Sequence, residues 1–150
     1  RADVAAPAPE APRAAPVDPL NNWDALSPAE KMRLAQHGSR DERAAVLRDK
    51  NRSLHPFVLK NPRITIEEVV AIAKNPQMAP DLLKLIADRS EWAGRSMVAD
   101  ALARNPKTPN DVGARCLHSC SPESLRQMAK GIGAPPHIVQ AARKLVLGGA

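Results

Sequence analysis

The chain has 150 residues, with 15 prolines, seven glycines, two tryptophans, one phenylalanine and no tyrosine. That is enough for one modest domain and excludes a large multidomain enzyme. Leu, Ile, Val and Phe together number 31, close to the floor below which chains fail to pack, so any core is thin and made of small and aliphatic side chains. The net charge of +6 is uneven: residues 1–26 carry −2, 27–64 carry +5, 65–102 carry −2 and 103–150 carry +5. A basic balance of this kind favours encounters with acidic partners without naming one.

Residues 1–26 open with an Ala/Pro alternation, RADVAAPAPEAPRAAPVDP, the composition of a semi-extended linker with nothing to bury. This stretch is expected to be a disordered linker, with Trp23 and Leu26 marking the start of the fold. A chain that begins on Arg inside such a linker is expected to follow another domain. No run approaches the roughly 18 apolar residues of a membrane span, and the first residues lack the apolar stretch of a secretory signal.

Residues 27–150 form the second unit, and helix-start chemistry recurs through it. Ser27-Pro28-Ala29-Glu30, Ser39-Arg40-Asp41-Glu42, Thr65-Ile66-Glu67-Glu68, Thr108-Pro109-Asn110-Asp111 and Ser121-Pro122-Glu123-Ser124 each place a hydroxyl where it can accept from the first helical turn. All five put an acid near the positive end of the helix dipole within that turn. Apolar residues then follow at helical spacing, as in Val69, Val70, Ile72 and Ala73, or Ile138, Val139, Ala141, Ala142 and Leu145. Gly38, Gly131 and Gly148 read as helix stops. These signals predict an all-α fold of about eight or nine short helices between residues 27 and 147.

Three Asn-Pro pairs, Asn61-Pro62, Asn75-Pro76 and Asn105-Pro106, end one helix and launch the next. Asn61 and Asn105 stand 44 residues apart, within the period of HEAT and armadillo arrays. Stacking of such units would bury faces that no single unit can cover, giving a short solenoid. The segment Val98-Ala99-Asp100-Ala101-Leu102-Ala103-Arg104-Asn105-Pro106-Lys107-Thr108-Pro109 resembles the leucine-rich repeat variant signature, in which an apolar helix ends in an Asn-Pro-x-Thr-Pro break. The resemblance covers roughly residues 44–117 and implies a right-handed HEAT-like α-solenoid. It departs from a regular array in its Asn-Pro intervals of 14 and 30 residues. The cysteine cluster that holds an iron–sulfur centre in some members is also missing, so the resemblance implies no cofactor here. Residues 48–145 are also similar to helical domains of uncharacterised bacterial proteins.

Chemistry-bearing residues are sparse. Cys116 and Cys120 share a helical face with His118 about 200° away, a spacing that reads as small structural thiols and not as a metal site or nucleophile. Two cysteines make no disulfide framework, which points to a reducing, cytoplasmic setting. His37, His55 and His137 read as surface or capping residues. Gly131-Ile132-Gly133 follows a helix instead of a strand, so it is a turn and not a dinucleotide loop. The first-turn positions of Glu67, Glu68 and Asp81 are explained by the helix dipole. Arg40, Arg43, Arg48, Lys50, Arg52, Lys60 and Arg63 form a basic run that is either a binding surface or a solvated helix face. Trp92 is either a packing residue or an exposed anchor for a partner.

The expectation is a non-enzymatic helical-repeat interaction module, without catalytic, metal or cofactor residues. It would present a surface to a protein partner or to a neighbouring domain, and not to a membrane. The alternative is non-specific binding of nucleic acid or another polyanion through the two basic ends; stacking aromatics for single strands are lacking, which disfavours sequence-specific reading.

Overall fold

Local capping chemistry sets most of the helix starts. Ser27 and Ser39 each accept from the backbone N–H three residues on, while Glu30 and Glu42 reach back to the cap, closing two capping boxes. Thr65 accepts from Glu68 N–H and Ser121 from Ser124 N–H, and prolines occupy the first helical position after Ser27, Ala79 and Ser121. Thr108 departs from this pattern. Pro109 is the cap residue of the helix that follows, and the buried Thr108 hydroxyl caps nothing.

A computed structural model of the protein describes residues 19–148. The linker expected over residues 1–26 therefore lies outside the described residues up to position 18. Among the described residues the regular structure is all helical, with no strand. The α-helices are α1 (Pro28–His37), α2 (Arg40–Arg48), α3 (His55–Val58), α4 (Ile66–Lys74), α5 (Pro80–Asp88), α6 (Ser90–Ala93), α7 (Ser96–Arg104), α8 (Asn110–Cys116), α9 (Pro122–Ala129) and α10 (Pro136–Gly148). Short 3-10 turns lie at Trp23–Ala25, Arg52–Leu54 and Leu117–Ser119. Ten α-helices replace the expected eight or nine because single-turn pieces, α3 and α6, are set off as separate helices. Gly131 and Gly133 have φ of +84° and +66°, so the turn between α9 and α10 uses backbone that favours glycine.

α1 packs on α2 and α3, α4 on α7, α7 on α8, and α10 on both α8 and α9. Val46, Val58, Val69, Leu82, Ile86, Val98, Leu102, Val112, Leu117, Met128 and Ile138 are essentially inaccessible and belong to one continuous apolar cluster from α2 to α10. Each buried aliphatic side chain of this kind contributes on the order of 2 kcal/mol.

Side chains from distant segments satisfy helix C-termini that would otherwise leave carbonyls unpaired. Buried Asn61 donates from Nδ2 to the carbonyls of Ala35 (3.0 Å) and Gly38 (3.2 Å) at the end of α1, and accepts from Arg63 N–H (2.9 Å). Buried Asn105 does the same at the end of α4, donating to Ala73 O (2.7 Å) and Asn75 O (3.0 Å) and accepting from Lys107 N–H (2.9 Å). Asn75 differs. It is partly exposed, and its side chain only accepts from Gln77 N–H (2.8 Å). Arginines take further carbonyls: Arg89 reaches Leu59 O, Arg104 reaches Ile132 O and Arg143 reaches Ala129 O.

Candidate binding surface

The basic run does not form one patch. Arg43 is 3% exposed. Its Nε and Nη2 meet the two carboxylate oxygens of Glu68 at 2.8 and 2.5 Å, and Nη1 donates to Gly38 O at 2.9 Å. Arg43 is thus a structural bolt between α2 and α4 and is unavailable to a partner. Although Arg40 lies only one turn away on α2, the approach of Glu68 from α4 takes Arg43 alone. Burial pushes the Glu68 carboxyl up, but its hydrogen bonds and charge pairing with Arg43 outweigh that and hold it below the ordinary range.

Arg40, Arg48, Lys50, Arg52, Lys60 and Arg63 are exposed, and none forms an ion pair with a described acid. Arg40 and Arg48 edge a groove between α2 and α4. Arg48 and Lys50 border a depression beside Trp23, while Lys60 lies at a third, with Arg89 and Trp92.

The α2–α4 groove has a volume of about 280 Å³. Arg40, Ala44, Leu47 and Arg48 repeat at helical spacing along α2, and Glu67, Glu68, Ala71, Ile72 and Asn75 along α4 and its end, so each helix offers one stripe. Ala44 and Ala71 leave the space that larger side chains would fill, with Leu47, Ile72 and Met78 completing an apolar floor. Arg40 and Arg48 stand on the α2 rim and Glu67 on the α4 rim. The sequence does not single out Ala44, Leu47, Ala71 or Met78, because small and apolar residues at these places look like any other helix face.

The depression beside Trp23 is larger, about 520 Å³, but its central charge is already met. Asp49 accepts from Lys31 Nζ (2.7 Å), Trp23 Nε1 (2.8 Å) and Asn51 N–H (2.8 Å). Led by the Lys31 hydrogen bond, these hold its carboxyl at about 2. This cluster ties the segment around Trp23 to α1 and α2, and sequence reading missed it because its members lie 18 and 26 residues from Asp49.

Trp92 is 8% exposed, with the Arg89 guanidinium stacked at 3.9 Å from its ring centroid and paired with Glu91. It is a packing residue and not an exposed anchor. Lys31 lies over Trp23 and Lys60 over Phe57, so all three aromatic rings of the chain have a cation on one face.

Cys116 and Cys120 are buried free thiols. Burial raises both, and burial together with Asp100 pushes Cys120 up to about 12. His37 is exposed and His137 partly so. His55 is not a surface residue: it is 5% exposed and takes the capping position, with Nε2 3.0 Å from the carbonyl of Asp49 at the end of α2 and Nδ1 without a partner. Among the described residues no three His, Cys, Asp or Glu side chains are arranged to hold a metal, and no helix is long and apolar enough to cross a membrane. Comparisons of the chain with protein families, curated proteins and solved structures gave no match.

Proposed function

We propose that the chain is a non-enzymatic helical-repeat module whose α2–α4 groove takes a helical segment of a protein partner or of a neighbouring domain. The observation that carries this reading is the groove itself: an apolar floor opened by Ala44 and Ala71 between a basic and an acidic rim. Helix-in-groove recognition needs those parts, with apolar anchors for affinity and rim charges for register. The repeat reading, and with it the likeness to leucine-rich repeat variant solenoids, is supported by Asn61 and Asn105. Placed 44 residues apart, each makes the same pattern of three hydrogen bonds, two to carbonyls at the end of an earlier helix and one from the backbone N–H two residues on.

The test places a photo-crosslinking residue at the exposed position Ala71 of the full chain and identifies what it captures in cells. The captured protein, purified, should bind the chain, and Ala71→Trp, which fills the groove, should weaken binding by about tenfold or more. Arg52→Glu, outside the groove, should not. Binding indifferent to Ala71→Trp refutes the proposal.

A second reading, binding of a polyanion, is favoured by one observation: the exposed cations of the run form no ion pair with a described acid. It predicts binding to generic duplex DNA that falls steeply with salt and weakens when Arg48 and Lys50 are both changed to Glu. Binding without a salt slope would remove it. The cations over Trp23, Phe57 and Trp92 argue against stacking of single-stranded bases.

A further inference from the structure

The packing of α9 and α10 leaves a further, chemically different depression. Ala129, Val146 and Leu147 give an open groove of about 330 Å³ its apolar lining, and Arg126, Lys130 and Arg143 surround it. Leu147 is 83% exposed and Val146 42%, an unusual outlay of aliphatic surface in a chain with few large apolar side chains. Arg143 donates from Nε to Ala129 O at 2.8 Å, which holds its guanidinium at the rim. Arg126, Lys130, Arg143 and the neighbouring Lys144 form no ion pair with a described acid. Glu123 is the only acid between residues 112 and 148.

We propose that this α9–α10 groove docks an acidic amphipathic segment of a protein partner, separate from whatever occupies the α2–α4 groove. Two features fix the partner's chemistry. The floor presents no charge, so the inserted face is aliphatic, and the rim is cationic throughout, so the flanks of the inserted segment are acidic. The two grooves are thereby distinguished: the α2–α4 rim carries both signs, while the α9–α10 rim carries one. A lipid surface is the other anionic source for such a patch. No aromatic residue lines the groove beside Val146 and Leu147 to anchor a bilayer interface, which favours a protein segment.

The experiment uses the full chain and three fluorescent helical peptides of equal length. One has a leucine stripe flanked by Glu, one replaces every Glu by Lys, and one keeps Glu but replaces Leu by Ser. Sedimentation with phosphatidylglycerol vesicles runs in parallel. The Leu/Glu peptide should bind, weaken about tenfold on Leu147→Ser, and bind more slowly and with less salt dependence on Arg126→Glu with Lys130→Glu. These positions are exposed, and unchanged circular dichroism checks that the variants fold. Arg40→Glu with Arg48→Glu, at the other groove, should leave this binding intact, so failure here and failure of the α2–α4 reading are told apart. No binding of the Leu/Glu peptide, equal binding of the Lys or Ser peptide, or vesicle binding that Leu147→Ser abolishes while no peptide binds would each overturn the proposal.

Discussion

Replacing Asn105 by Ala removes three hydrogen bonds at once from a site only 4% exposed. The carbonyls of Ala73 and Asn75 and the N–H of Lys107 lose their side-chain partner. At about 1 kcal/mol net per bond the expected cost is about 3 kcal/mol, a large part of the total stability of a domain this size. With a urea slope of about 1.5 kcal/mol per molar, the midpoint falls by about 2 M. Asn61→Ala should behave alike, since its bonds to Ala35, Gly38 and Arg63 repeat the pattern. Asn75→Ala loses one local bond in a half-exposed turn and should cost about 0.5 kcal/mol. Asn105→Asp keeps the acceptor but points a carboxylate at two carbonyls, so it should be at least as damaging as Ala. Urea titrations followed by far-UV circular dichroism on the four variants decide the matter. A midpoint for Asn75→Ala as low as that for Asn105→Ala, or an Asn105→Ala shift below about 0.3 M, would refute the assignment of Asn105 as an inter-helix stitch.

The Asp49 carboxyl is lowered from 3.8 to about 2, so its contribution is complete above pH 4 and is lost as pH falls toward 2; Asp49→Asn should flatten the urea midpoint across that window, and an unchanged slope would remove the Lys31–Asp49–Trp23 cluster as its source. Cys116 and Cys120, buried and raised, should resist iodoacetamide at pH 8 in the native protein and react readily in urea, as read by mass spectrometry; rapid native labelling would mean the α8–α9 junction opens easily. A Cβ at Gly38 would lie 2.3 Å from the Leu34 carbonyl in the last turn of α1, so Gly38→Ala should lose about 2 kcal/mol by distorting the end of that helix, whereas a neutral change in thermal midpoint would show that the helix end shifts freely.

Four helix starts were legible in the sequence because their causes are local: Ser27, Ser39, Thr65 and Ser121 bond residues three positions on, well within the reach of sequence pattern. The all-α class followed from the same short-range signals. The breaks at the Asn-Pro pairs were legible too, since proline restricts the residue before it whatever the fold. The roles of the asparagines were not. Three identical dipeptides look equivalent in sequence, yet Asn61 and Asn105 each find carbonyls 23 to 32 residues back while Asn75 finds none. The same holds for charge. Arg43 is indistinguishable in sequence from Arg40 and Arg48, and only the approach of α4, 25 residues on, turns it inward to Glu68 while its neighbours stay in water. The grooves depend most on tertiary structure, because an alanine becomes a floor only when a second helix places its own small residue opposite. What a residue does to its own turn is written in the order of the chain; what it does to a distant helix waits on packing, where burial of the aliphatic core chooses which faces meet.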